Sequence, residues 1–142
     1  MAQTILVCDD DKEIAGAIDI YLTAEGYTVL QAHDGQQALD MLEKHEEIQL
    51  ILMDIMMPRL DGMHATIKIR QTRNLPIIIL SAKSEDNDKI LGLNIGADDY
   101  ITKPFNPMEL IARVKSQLRR YTNFGAGEAS TDTQKLVNGG LV

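Results

Sequence analysis

Apolar runs that each end on a polar residue, separated by amphipathic segments, leave this chain few folds to adopt. The runs fall at 4–8, 28–31, 49–53, 76–80 and 99–102. Segments between them repeat apolar residues at helical spacing, with Ile14, Ala17, Ile18, Tyr21 and Leu22 on one face and Ala38, Met41 and Leu42 on another. Strand–helix alternation of this kind predicts βαβ units and a parallel sheet. Runs 1, 3 and 4 are almost wholly apolar, as strands covered on both faces should be, whereas runs 2 and 5 are mixed, as edges tend to be. The expectation is an α/β fold, a doubly wound five-stranded parallel sheet in the order 2-1-3-4-5 with helices on both faces.

Helix punctuation agrees with that plan. Gly26 suits a helix stop. Asp34 with Gln37 reads as a capping box, and Asp10 with Glu13 as another. Asp61-Gly62 can lead into a helix carrying Met63 and Ile67, and Ser84 can cap a helix over 85–96 that contains Gly92, a poor helix former. Asn106-Pro107-Met108-Glu109 is a helix start with Pro at the first position, and its stripe is Met108, Ile111, Val114 and Leu118.

In such a sheet Asp9, Asp10, Asp54, Ser81 and Lys103 all fall at the C-terminal edge, where open α/β sheets bind ligands. Asp9-Asp10-Asp11 can serve helix capping, but one aspartate suffices for a cap, and Mg²⁺ prefers several oxygen ligands. Asp10 and Asp54 could bind a cation directly, Asp9 through water, with a backbone carbonyl near Met56 adding another ligand. Asp54 is followed by Met56-Met57-Pro58 rather than by a helix, so a capping role explains it poorly. A carboxylate there can act as a nucleophile toward phosphorus. Ser81 can donate to a phosphoryl oxygen or to local backbone, and Lys103 can neutralise phosphoryl charge or lie solvated. Lys103 precedes Pro104, and the isomer of that bond is left open. His33, His45 and His64 lack ligand spacing and read as surface residues, and Cys8 as a small buried side chain.

The 142 residues are 44% hydrophobic, enough for one core, and 21 acidic against 14 basic residues argue against nonspecific nucleic-acid binding. Neither a signal peptide nor an apolar run of membrane-spanning length is visible, so the expectation is a cytoplasmic chain.

Taken together, Ile5-Leu6-Val7-Cys8-Asp9-Asp10-Asp11, Leu52-Met53-Asp54 through Asp61-Gly62, Leu80-Ser81-Ala82-Lys83 and Lys103-Pro104-Phe105 resemble the receiver domain of two-component response regulators, a flavodoxin/CheY-like fold. Gly96 to Phe105 with Glu109-Leu110-Ile111-Ala112-Arg113 and Leu118-Arg119-Arg120 is similar to the OmpR/PhoB subfamily, and the end of that stretch to VanR-type regulators. The resemblance implies that Asp54 accepts a phosphoryl group from a sensor histidine kinase. It implies Mg²⁺ at Asp9, Asp10, Asp54 and the Met56 carbonyl, phosphoryl contacts from Ser81 and Lys103, and Tyr100 as an aromatic switch that turns inward as Ser81 moves. It also implies an active homodimer through the helix over 85–96, the fifth strand and the last helix. The charged positions there are Lys89, Asp98, Asp99, Glu109, Arg113 and Arg120, with Lys89–Glu109 and Asp99–Arg113 as cross-subunit pairs.

The receiver is expected over 1–121, a small polar linker over 122–134, and over 135–142 the start of a truncated winged-helix DNA-binding domain. DNA contact would then belong only to a longer parent protein that controls transcription. An enzyme is not expected, because the Asp-x-Asp of haloacid-dehalogenase-like phosphohydrolases is missing at Asp54-Ile55-Met56, nor is a flavodoxin-like nucleotide binder, because no Gly-rich phosphate loop follows the first run. The remaining alternative is a pseudo-receiver, a protein-interaction module without phosphotransfer.

Overall fold

A computed structural model describes residues 3–55, 57, 60–82 and 96–127. Five parallel strands, β1 (Thr4–Cys8), β2 (Thr28–Ala32), β3 (Ile48–Asp54), β4 (Ile77–Ala82) and β5 (Asp99–Lys103), form one sheet in the order β2-β1-β3-β4-β5. The order matches the expectation, and so does its reason. β1, β3 and β4 bury residues on both faces, while β2 and β5 are only partly buried at the edges.

Strand alternation sends side chains to two cores. Leu6, Cys8, Met53, Ile77 and Ile79 face α2 (Gly35–Lys44) and α3 (Gly62–Arg70), through Ala38, Leu42, Ala65 and Ile69. Ile5, Val7, Leu52, Ile78 and Leu80 face α1 (Lys12–Ala24) and α4 (Pro107–Gly127), through Ile18, Leu22, Leu110, Val114 and Leu118. Full burial of one such side chain contributes roughly 1.5–3 kcal/mol, so these two layers hold the sheet edge in place.

The helix caps follow the predicted punctuation with one correction. Gly26 takes φ +96° just beyond α1, a backbone that glycine adopts without strain. Asp34 accepts from the Gln37 amide at 2.8 Å, Asp61 from the His64 amide at 2.9 Å, and Asn106 from the Met108 amide at 2.7 Å. At α1 the cap is Asp11 rather than Asp10. Asp11 is extended, and its carboxylate accepts from the Glu13 and Ile14 amides at 2.9 and 3.3 Å. Asp10 is left exposed and released from that task.

One predicted stripe loses its first member. Met108 is 74% exposed, while Val114 and Leu118 are buried as expected and are joined by Leu110 and Gln117. Ile67 is also exposed, and α3 buries Ala65, Thr66 and Ile69. In addition α4 continues to Gly127, so residues 122–127, expected as linker, are helical. Extending a formed helix adds a hydrogen bond per residue fixed, so a small polar composition does not stop it. The helix expected over 85–96 lies outside the described residues except for Gly96.

Candidate functional site

β1, β3, β4 and β5 end side by side, which brings Asp9, Asp54, Ser81 and Lys103 together over the sheet edge. Asp9 is fully buried and Asp54 is 5% exposed. Lys103 Nζ donates to Asp9 Oδ2 at 2.8 Å and to Asp54 Oδ1 at 3.2 Å, binding the two acids into one cluster. The Lys103–Pro104 bond is cis.

Burial, and then the charge of Asp9, push the Asp54 pKa up to about 7, against the opposing pull of Lys103. Burial would lower the Lys103 pKa, but its bonds to Asp9 and Asp54 outweigh that and hold the ammonium above its ordinary value. Burial pushes the Cys8 thiol up, and the neighbouring aspartates add to it, so Cys8 is an inert core side chain.

Asp9, Asp10 and Asp54 each offer a carboxylate oxygen, and these atoms all lie within 4.8 Å of one another. An all-oxygen, anionic donor set suits a hard divalent cation. Among the described residues Ser81 Oγ is buried without a hydrogen-bond partner, a donor that could serve a ligand oxygen at this edge. The residues present therefore fit a cation and a phosphoryl group together. Met56, the expected carbonyl ligand, lies outside the described residues.

The main chain beneath Asp54 is closely packed. The Gly62 amide donates to Ile55 O at 2.9 Å, and a Cβ on Gly62 would fall 2.1 Å from Asp54 O. Likewise the Gly35 amide donates to Leu60 O at 2.9 Å, and a Cβ on Gly35 would fall 2.1 Å from that oxygen. Glycine is therefore required at both helix starts by close approach, a constraint hidden in the sequence.

Four of the residues expected on a dimer face, Asp98, Asp99, Glu109 and Arg113, are paired within the chain. Arg113 Nη1 donates to both Asp99 oxygens at 2.9 Å, and Arg113 also reaches Glu109 at 3.2 Å. Asp98 binds Arg70 of α3 and accepts from the Ile77 amide at 2.9 Å. Arg120 is exposed, and Lys89 lies outside the described residues. Tyr100 is partly buried against the core on the α2–α3 side. Sequence reasoning passed over His33, grouped with the surface histidines. Its ring Nδ1 lies 3.0 Å from the Asp9 carbonyl oxygen. Its place directly before the capping Asp34, on the loop leaving the strand next to β1, was the available signal.

With this geometry in view, residues 5–115 match the family model of the response regulator receiver domain. The regulatory protein VanRc of Enterococcus gallinarum is 46% identical over all 142 residues, and VanR of Enterococcus faecium is 48% identical over the same length. The chain spans 61% of the length of each of these relatives. Among solved structures, the receiver domain of the Francisella response regulator 1452 superposes with a TM-score of 0.78 at 42% identity, covering 83% of this chain and 98% of that one. A CheY-like receiver domain protein from Methanospirillum hungatei gives 0.82 at 29% identity, over 88% and 100% of the two chains. The chain belongs to the response regulator receiver domain family and is closely related to VanR-like regulators of the OmpR/PhoB class. It is a phosphoacceptor module rather than an enzyme, with a carboxylate cluster able to chelate a divalent cation. Among the described residues, no helix is long and apolar enough to cross a membrane.

Proposed function

We propose that Asp54 accepts a phosphoryl group from the phosphohistidine of a sensor histidine kinase, with Mg²⁺ held by Asp9, Asp10, Asp54 and the Met56 carbonyl. The observation that carries this reading is the Lys103 ammonium bridging buried Asp9 and Asp54 beside the unpartnered Ser81 hydroxyl. An Asp54 carboxylate oxygen bonds to phosphorus as the donor's P–N bond breaks. The electron pair leaves with the imidazole, which takes a proton from solvent. Lys103 and Ser81 then hold the phosphoryl oxygens, since such transfers depend mostly on positioning and charge. When bound, Mg²⁺ supplies further neutralisation of those oxygens.

The output is a shift between two conformations. Ser81 moves toward the phosphoryl group and Tyr100 turns inward behind it. The face carrying Lys89, Asp98, Asp99, Glu109, Arg113 and Arg120 then forms a symmetric dimer. Because Asp99 already holds Arg113 within one chain, a cross-subunit Asp99–Arg113 pair would be an exchange of partners rather than a new contact. The receiver would occupy 1–121, with transcriptional control exerted by a DNA-binding domain of a longer protein beginning near 135.

The test is intact mass after incubation with Mg²⁺ and a small acyl phosphate. One added phosphoryl group is expected, and none in Asp54→Ala or without divalent cation. No addition under any condition would leave the pseudo-receiver reading.

A further inference from the structure

Asp9 is the most constrained member of the acid cluster, and one of its restraints comes from outside the phosphoryl machinery. Its amide donates to Ala32 O at 3.0 Å, its Oδ1 accepts from the Asp11 amide at 2.9 Å, and its Oδ2 accepts from Lys103 at 2.8 Å. The carbonyl oxygen of Asp9 meets His33 Nδ1 at 3.0 Å. A carbonyl only accepts, so Nδ1 must carry the hydrogen.

The imidazole is itself held in place. The His33 amide donates to Gln37 Oε1 at 2.8 Å, while the Gln37 amide donates to Asp34 Oδ1 at 2.8 Å. Gln37 thus fastens the turn at the start of α2 in both directions. Two residues beyond His33, Gly35 ties the same turn to Leu60 O, in the segment that follows Asp54. One turn therefore grips the Asp9 backbone on one side and the loop after Asp54 on the other. The relative placement of two cation-binding carboxylates passes through it.

We propose that His33 is a positioning residue for the cation site, its Nδ1–H holding the Asp9 carbonyl so that the Asp9 carboxylate stays set toward the cation. This rests on the phosphoacceptor reading above. An asparagine places its side-chain NH₂ near where Nδ1 lies, whereas glutamine places it further out and phenylalanine has no donor. The three substitutions therefore separate the hydrogen bond from ring volume.

The experiment is a MgCl₂ titration of the full chain followed by ¹H–¹⁵N correlation spectra, for the wild type, His33→Phe, His33→Gln and His33→Asn. Outer partners of metal ligands typically carry 10–100-fold in affinity, and an effect of about tenfold is expected here for His33→Phe and His33→Gln. His33→Asn is expected to bind like the wild type. The rate of phosphorylation by an acyl phosphate should fall in His33→Phe at low Mg²⁺ and recover at saturating Mg²⁺, a split that general loosening of the fold would not produce. Equal Mg²⁺ affinity in all four proteins overturns the proposal. A wild type that binds no Mg²⁺ overturns the phosphoacceptor reading, and this inference with it. Long-range ¹H–¹⁵N spectra of the wild-type ring need no variant to fold. Hydrogen on Nδ1 supports the contact, and a ring protonated on Nε2 alone overturns it.

Discussion

At the scale of single residues, Asp54 is under opposed demands. Burial and Asp9 raise its pKa from 3.8 to about 7, so the folded state retains a proton that the unfolded state releases. The stability this contributes is full below pH 3.8 and is lost as pH rises through about 7. Asp54→Asn never ionises. It is expected to raise the unfolding free energy at pH 8 by about 2 kcal/mol and to change it little at pH 4, measured by urea titration without divalent cations. A gain independent of pH would contradict that origin. Lys103 presents the complementary case, because its ammonium already engages one oxygen of each of the two buried acids. Lys103→Met is expected to destabilise the metal-free chain by about 3 kcal/mol, since two buried acids lose their counter-charge. The same change should tighten Mg²⁺ binding while slowing phosphorylation, which calorimetry and intact mass would read separately. Looser Mg²⁺ binding would show that Lys103 supports the cation site rather than competing for it.

At the scale of elements, strands were easier to read than helix faces. A strand covered on both sides is a continuous apolar run, and Ile77-Ile78-Ile79-Leu80 admits little else. A helix declares its period more clearly than its phase. Between 108 and 118, α4 carries enough apolar residues for two stripes, and the sheet decides between them by lying beneath Leu110 and Val114. Leu110→Ala is expected to cost about 2–5 kcal/mol, whereas Met108→Ala should stay within about 0.5 kcal/mol, both by denaturant titration. Similar effects at the two positions would mean the burial has been misassigned. The cap at α1 was missed by one residue for a related reason. Any of three adjacent aspartates can start a helix, and only the observed backbone selects Asp11.

At the scale of the whole molecule, strand order was readable because edge and central strands differ in composition, and order alone gathers Asp9, Asp54, Ser81 and Lys103 at one edge. What composition could not convey is which charges are already engaged, as Asp99 is with Arg113 and Asp98 with Arg70. Turning a 1:99 balance into 99:1 needs about 5.5 kcal/mol, and exposed ion pairs are worth little singly, so phosphoryl contacts and dimerisation must act together. Sedimentation of the phosphorylated chain should show dimers that Arg113→Asp weakens and that Asp99→Arg combined with Arg113→Asp restores. Failure of the double reversal would remove this pair from the interface. Gly62 beneath the acceptor adds a mechanical consequence. The main chain of Asp54 rests against Gly62 with no room for a methyl group, and the Ile55 amide is tied to Leu80 O at 3.2 Å. The acceptor thus sits on an anvil: if Asp54 takes up charge, its own strand has little room to recoil, and the displacement would fall to the side chains around it.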